Sequence, residues 1–215
     1  MQVSPDEYPA RYDVDYPEQS NRLTTFFRIP LSIPIWILSI LLPMAPPLIV
    51  SLAAHGLLDD DSSWYGAGAA FWLPLALMLL LRRKYPRWWF DFLLELNRFQ
   101  ARITAYLSLL TDLYPSTDEE QSVHLELDYP DAQQLNRFLP IVKWLLLIPH
   151  YVVLVVLSVI GLLGVIFAWF AILFTGRFPR FVFDYLVGVH RWGLRVTAYG
   201  FLLITDRYPP FRLGP

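Results

Sequence analysis

The chain contains no cysteine, which excludes disulfides, thiolate metal sites and a cysteine nucleophile. It is also short of charge: Asp, Glu, Lys and Arg make up 17% of its 215 residues, against roughly 25% in an ordinary soluble domain. A net charge of −2 gives no global basic field, so nucleic acid is not an expected partner. A Gly-rich phosphate loop, H-E-x-x-H and G-x-S-x-G are missing as well. No catalytic residue, metal or cofactor is expected, and the chain reads as non-enzymatic. The N-terminal stretch MQVSPDEYPARYDVDYPEQ is acidic and Pro-rich, without the basic and apolar regions of a cleavable signal. The first apolar helix is therefore expected to insert uncleaved.

What the chain has in excess is apolar surface. Hydrophobic residues are 55% of the sequence, and the mean hydropathy is +0.40. This composition points to an integral membrane protein. Residues 26–54 carry Arg28 as their only charge and are long enough to span a bilayer, although Pro30, Pro34, Pro43, Pro46 and Pro47 call for kinks. A polar connection follows, with His55 and Asp59-Asp60-Asp61, and residues 67–82 form a short second span. Residues 138–175 have Lys143 near their start as the only full charge. One straight helix of that length overshoots a membrane, so a hairpin turning near Gly161 and Gly164 is expected, with spans 138–160 and 161–175.

None of the 17 Lys and Arg residues lies in the two loops opposite the basic segments. The positive-inside rule then places both termini and the middle segment in the cytoplasm, in a multi-pass inner-membrane protein.

The sequence also repeats itself. Tyr85 to Tyr106 aligns without gaps on Phe178 to Tyr199, with identities that include Pro86/Pro179, Asp91/Asp184, Arg98/Arg191, Arg102/Arg195 and Tyr106/Tyr199. Thr-Asp-x-Tyr-Pro closes both copies, and upstream Asp15-Tyr16-Pro17 matches Asp128-Tyr129-Pro130 while Asn21-Arg22 matches Asn136-Arg137. The expected architecture is thus an all-α membrane protein with four transmembrane helices in two parallel repeats, 1–115 and 116–215. Each repeat ends in an amphipathic interfacial helix, 86–110 and 179–204. Each starts with a short cytoplasmic extended lead: Tyr12 to Tyr16 and His124 to Asp128 alternate in polarity as half-buried strands do.

The run AWFAILFTGRFPR from Ala168 to Arg180, with Phe183-Asp184, Gly188-Val189, Arg191-Trp192, Arg195-Val196 and Thr205-Asp206-x-Tyr208-Pro209-Pro210-Phe211, resembles a bacterial membrane family of unknown function, DUF4389. The second copy matches over nearly its whole length. The first departs, having Arg82-Arg83-Lys84 where the pattern has Thr-Gly-Arg, and Glu95-Leu96-Asn97 where it has Gly-Val-x. The resemblance supports the membrane topology and brings no activity with it.

The candidate functional residues are two charged stripes, Asp91, Arg98 and Arg102 in one copy and Asp184, Arg191 and Arg195 in the other. Such arginines can fork onto lipid phosphates, tie the two repeats together, or face water. Asp91 and Asp184 lie about two turns from the nearest stripe arginine, which favours a partner on another element. His150 and His190 match Ile35 and Asn97, which bind no metal, so both read as structural. With no charge inside the spans away from their ends, a proton relay or ion-coupled carrier is not expected. The leading functional expectation is a scaffold or accessory subunit of a larger membrane complex, in contact with the lipid bilayer and a membrane-protein partner. The alternative is a lipid-handling protein that holds a phospholipid between the repeats.

Overall fold

The computed structural model describes residues 8–41, 65–117, 119 and 121–215. The outer part of the first expected span, His55 and Asp59-Asp60-Asp61 lie outside the described residues.

The two leads are strands. β1 (Ala10–Val14) and β2 (Val123–Leu127) pair antiparallel with Tyr12 opposite Leu125, and bonds from Asp15 N to Ser122 O and Asp128 N to Pro9 O extend the ribbon. Their alternating polarity puts Ala10, Tyr12, Val14, Val123, Leu125 and Leu127 on a buried face, and Asp13, His124 and Glu126 on an exposed one. The fold is therefore not all-α, because an extended lead has no other place for its backbone donors and acceptors than a second strand.

The helices are α1 (Arg22–Phe26), α2 (Arg28–Leu41), α3 (Tyr65–Arg82), α4 (Arg87–Leu107), α5 (Leu139–Leu146), α6 (Ile148–Thr175) and α7 (Arg180–Gly200). Local chemistry sets several of the ends. The Asn21 side chain accepts from Leu23 N and so caps α1, and Pro86 and Pro179 stand in extended conformation ahead of α4 and α7. α6 stops at Gly176, whose φ of 72° is the left-handed C-cap that glycine adopts without steric cost.

In the buried middle layer, α4 packs on β2 and α7 on β1, both against the same face of the ribbon. α6 covers the other side of α7, α2 touches α4, and α1 packs on the end of α6. Each ribbon strand thus rests on the helix of the opposite repeat. A single apolar cluster containing Tyr12, Leu125, Ala105, Ala198 and Leu203 joins these layers.

Four transmembrane helices in two repeats are not what forms. Among the described residues one helix, Ile148–Thr175, is long and apolar enough to cross a membrane. The expected hairpin at Gly161 and Gly164 is absent, and α6 is continuous for 28 residues, about 42 Å. The glycines serve a close approach instead of a turn: a Cβ at Gly161 would lie 3.2 Å from Leu186, and one at Gly164 would lie 3.1 Å from Val182. Tyr185, which also lies against Gly161, donates its hydroxyl to Leu157 O, one turn earlier in α6, at 2.8 Å. α7 is mostly buried between ribbon and α6: Arg191 finds its acceptors in the ribbon, while apolar residues of α7 pack on α6. Of the other two expected spans, 67–82 falls within one helix, Tyr65–Arg82, which is not among the helices long and apolar enough to cross, and 26–54 is broken in its described part, where α1 ends at Phe26 and α2 restarts at Arg28.

Candidate functional site

The arginines of both stripes are built into the protein. Arg98 Nε donates to Leu125 O at 3.1 Å, and Arg191 Nε donates to Tyr12 O at 2.9 Å. Tyr12 and Leu125 are register partners at the ribbon's centre. The flanking bonds at Pro9 and Asp15 place the mutual hydrogen bonds on odd-numbered β1 residues, so the Tyr12 and Leu125 carbonyls point outward. The two arginines therefore cap opposite edges of the ribbon at its midpoint. Arg191 also reaches Asp13 Oδ1 at 3.2 Å, and Arg98 reaches Glu95 Oε1 at 2.7 Å.

One turn on, the second arginine of each stripe holds the segment that follows its helix. Arg102 Nη1 donates to Ser116 O at 2.7 Å, while Arg195 donates to Arg212 O at 3.3 Å and Gly214 O at 2.8 Å. Arg195 is 2% exposed, and burial together with Arg212 and Arg191 lowers its pKa from the ordinary guanidinium range. Asp91 and Asp184 do not join these clusters. Their partners are Arg87 at 3.8 Å and Arg180 at 3.3 Å, one turn back on the same helix and at the surface. A partner on another element is thus not found for either. The same two arginines lie over the rings of Tyr129 and Tyr16.

A second pair of sites escaped the sequence reading. Arg28 Nη2 lies 2.9 Å from Asp112 Oδ1 and its guanidinium stacks 4.0 Å over the Tyr106 ring. Lys143 Nζ lies 2.8 Å from Asp206 Oδ1, donates to Thr205 O at 2.7 Å and sits 4.7 Å over Tyr199. The second carboxylate oxygen of each aspartate accepts a backbone N–H, from Asn21 at 2.7 Å and from Asn136 at 2.6 Å. The signal was in plain view: Arg28 and Lys143 are lone charges in apolar runs, and the two aspartates are those of Thr-Asp-x-Tyr-Pro. What the sequence left open was that each lone cation meets the aspartate that closes its own repeat. A buried cation needs a carboxylate, and both clasps supply one; Lys143 adds the Thr205 carbonyl, whereas Arg28 meets Asp112 through Nη2 alone and leaves Nε and Nη1 to the Tyr106 ring face and its buried surroundings. Burial still lowers the Lys143 pKa, with Asp206 acting in the opposite direction.

His150 is buried. Its Nδ1 accepts from Trp192 Nε1 at 3.0 Å and its ring stacks 4.0 Å from Phe211, so that lone pair is already engaged. His190 packs edge-on to Tyr12, and burial pushes its pKa down to about 4. Among the described residues no group of three or more His, Asp or Glu could hold a metal. Among the described residues, two surface clefts are of note. One of about 420 Å³ lies between β1 and α7 and is lined by Asp13, Tyr16, Arg180, Asp184 and Arg191. The other, of about 300 Å³, lies at the end of α6.

Residues 140–212 match the family described as Domain of unknown function (DUF4389). This supports the family resemblance seen in the sequence, for a segment that runs from α5 to just past Phe211. No curated protein and no solved structure matches the chain. The DUF4389 segment contains Lys143, Arg191, Arg195 and Asp206, but Tyr12 and Asp13, to which Arg191 is bound, lie outside it.

Proposed function

We propose that the protein is a non-enzymatic, membrane-embedded scaffold or accessory subunit, made of two tandem copies of the DUF4389 unit. The observation that carries this reading is the outer face of α6. The helix has a mean hydropathy of 2.9, yet only 22% of that stretch is buried. Val152, Val156, Val159, Leu163, Phe167 and Phe170 are each about half exposed or more. Contiguous apolar surface on this scale marks contact with lipid or with another protein. Across the molecule, the ribbon's outer face is charged, with Arg11 bridging Glu126 and Asp128 and His124 meeting Asp15. An apolar side opposite a charged side is the polarity of a protein seated in a bilayer.

The tandem reading is supported by contacts made twice, at Arg98 and Arg191, Arg102 and Arg195, and Arg28 and Lys143. The bacterial inner membrane is the proposed location, with the ribbon and both termini on the cytoplasmic side. Tyr8 near one end of the chain and Leu213 near the other both pack on α7, beside β1, which fits a common side. A lipid headgroup on the stripe arginines is not favoured, because those arginines donate to protein carbonyls.

The test is alkaline carbonate extraction of membranes, followed by native mass spectrometry in mild detergent. The protein should resist extraction, retain a stoichiometric protein partner, and lose both properties when Val156 and Leu163 are replaced by lysine. A wild-type protein that washes off as a lone monomer overturns the reading.

A further inference from the structure

The cleft at the end of α6 is lined by Gln19, Ser20, Arg22, Thr175, Gly176 and Arg177, and none of the stripe or clasp residues contributes to it. The chain holds this place together tightly. Ser20 N donates to Gly176 O at 3.0 Å, and the Arg22 guanidinium lies across Gly176 and donates to Phe174 O at 3.3 Å. That bond uses one of five donors, so Arg22 keeps others for a ligand. Arg177 is exposed, which puts two guanidinium groups beside one small polar cleft.

Two independent features sit next to it. Phe174, one residue from the cleft, is 79% exposed, and Leu23, adjacent to Arg22, is 71% exposed. Large apolar side chains this bare, directly against a pair of arginines, mark the level at which a helix leaves hydrocarbon for headgroups. Bare apolar residues beside exposed cations also stand at the two corresponding sequence positions, 81–84 and 137–138. Leu81 is 73% and Phe138 is 69% exposed, and their neighbours Arg82, Arg83, Lys84 and Arg137 are all exposed cations. Arg83 even takes the left-handed conformation of Gly176, with φ 48°.

We propose that the Arg22/Arg177 cleft binds the phosphate of an anionic phospholipid, with the acyl chains lying along Phe174 and Leu23. Arginine suits a phosphate because its planar fork can donate two parallel hydrogen bonds. Ser20 and Gln19 add polar groups at the rim, and the absence of any acidic residue from the lining leaves the cleft's charge positive. The site rests on the membrane reading given above.

The experiment uses the full chain in nanodiscs of phosphatidylcholine doped with phosphatidylglycerol, with the annular lipid retained in mild detergent counted by native mass spectrometry. Wild type should enrich phosphatidylglycerol. Arg177→Gln should reduce the enrichment roughly fivefold, and Arg22→Gln with Arg177→Gln by roughly another fivefold. Arg177→Lys should keep most of it. Because Arg177 is exposed, its single variants report on binding even if the Arg22 change disturbs the end of α6. Equal lipid content in wild type and Arg177→Gln overturns the proposal. Millimolar inorganic phosphate should not displace the lipid; if it does, the occupant is a soluble phosphate and the lipid assignment falls. A protein that enters nanodiscs without lipid preference defeats this site alone, whereas one that does not enter them defeats the membrane reading as well.

Discussion

The two halves hold the ribbon with the same arginines but differ beside them. Gly188 in α7 occupies the position that Glu95 occupies in α4. A Cβ at Gly188 would lie 2.8 Å from Leu213 Cβ and 3.1 Å from Leu213 O, so the closing segment passes directly over this helix. In α4 the corresponding surface is open, and Glu95 turns to pair with Arg98. The closing segment is also what Arg195 grips through two carbonyls, where Arg102 grips one. The difference between Gly188 and Glu95 therefore has a cause: glycine is needed where a backbone lies on the helix, and elsewhere a charged residue is tolerated. A similar contrast separates the buried cations, Arg28 in one half and Lys143 in the other.

The largest expected effect would break the symmetry of the cation clasps. Asp112→Asn leaves Arg28 buried and unable to lose its proton, at a cost of about 3 kcal/mol in stability. Asp206→Asn should cost less, because Lys143 can shed its proton. The pKa of Lys143 is already lowered from its ordinary value, chiefly by burial. Between the folded and the ordinary pKa the unfolded chain binds the proton that the folded chain has lost, so stability rises with pH in that window. Removing Asp206 widens the window downward. Denaturant unfolding at neutral and alkaline pH should show the Asp206→Asn deficit shrinking and the Asp112→Asn deficit unchanged; parallel deficits would refute the distinction.

Next in size is an exchange at the helix surfaces. Gly188→Ala should lose about 2 kcal/mol by displacing Leu213, whereas Glu95→Gly should lose only about 1 kcal/mol, from helix propensity and one exposed pair. Similar losses at both positions in thermal melts would mean that the closing segment does not press on α7.

The third contrast is His190 against Asn97. The folded pKa of His190 is about 4, below its unfolded value, so the neutral folded form is favoured above that value and the advantage is lost on acidification. Between pH 7 and pH 5 this removes roughly 1–2 kcal/mol. His190→Asn, which installs the residue of the other half, should flatten that part of the pH profile, and an unchanged profile would assign the acid sensitivity elsewhere.

The smallest effect concerns the second stripe arginines. Arg195→Lys forfeits a two-carbonyl grip and should cost about 1 kcal/mol, Arg102→Lys about half of that. Equal melting shifts would show that the second carbonyl bond contributes nothing.

Several of these features could be read before any coordinates. Alternation in Tyr12 to Tyr16 and His124 to Asp128 marked strands, since a half-buried strand has period two. Pro86, Pro179 and Gly176 marked helix ends, because fixed φ and left-handed backbone are properties of single residues. The recurrence of Arg98 and Arg102 as Arg191 and Arg195 marked positions with a geometric demand. What misled was Gly161 and Gly164 in an apolar run. Glycine serves a turn and a close helix contact equally well, and only the presence of α7 alongside decides between them. Asp91 and Asp184 misled for a similar reason, since Arg87 and Arg180 at the helix starts were nearer partners than the stripe arginines.

By itself, then, the sequence determined what is written in local backbone preference and in repetition: the strands, the helix starts, the C-cap at Gly176 and the paired arginines. Only the tertiary structure decided which groups meet across the chain. Tyr12 lies opposite Leu125, Arg191 finds the strand of the other repeat, and Lys143 and Arg28 find the closing aspartates. Such meetings depend on burial and on the demand that each enclosed cation and each outward carbonyl be satisfied, and no short window of residues contains that demand.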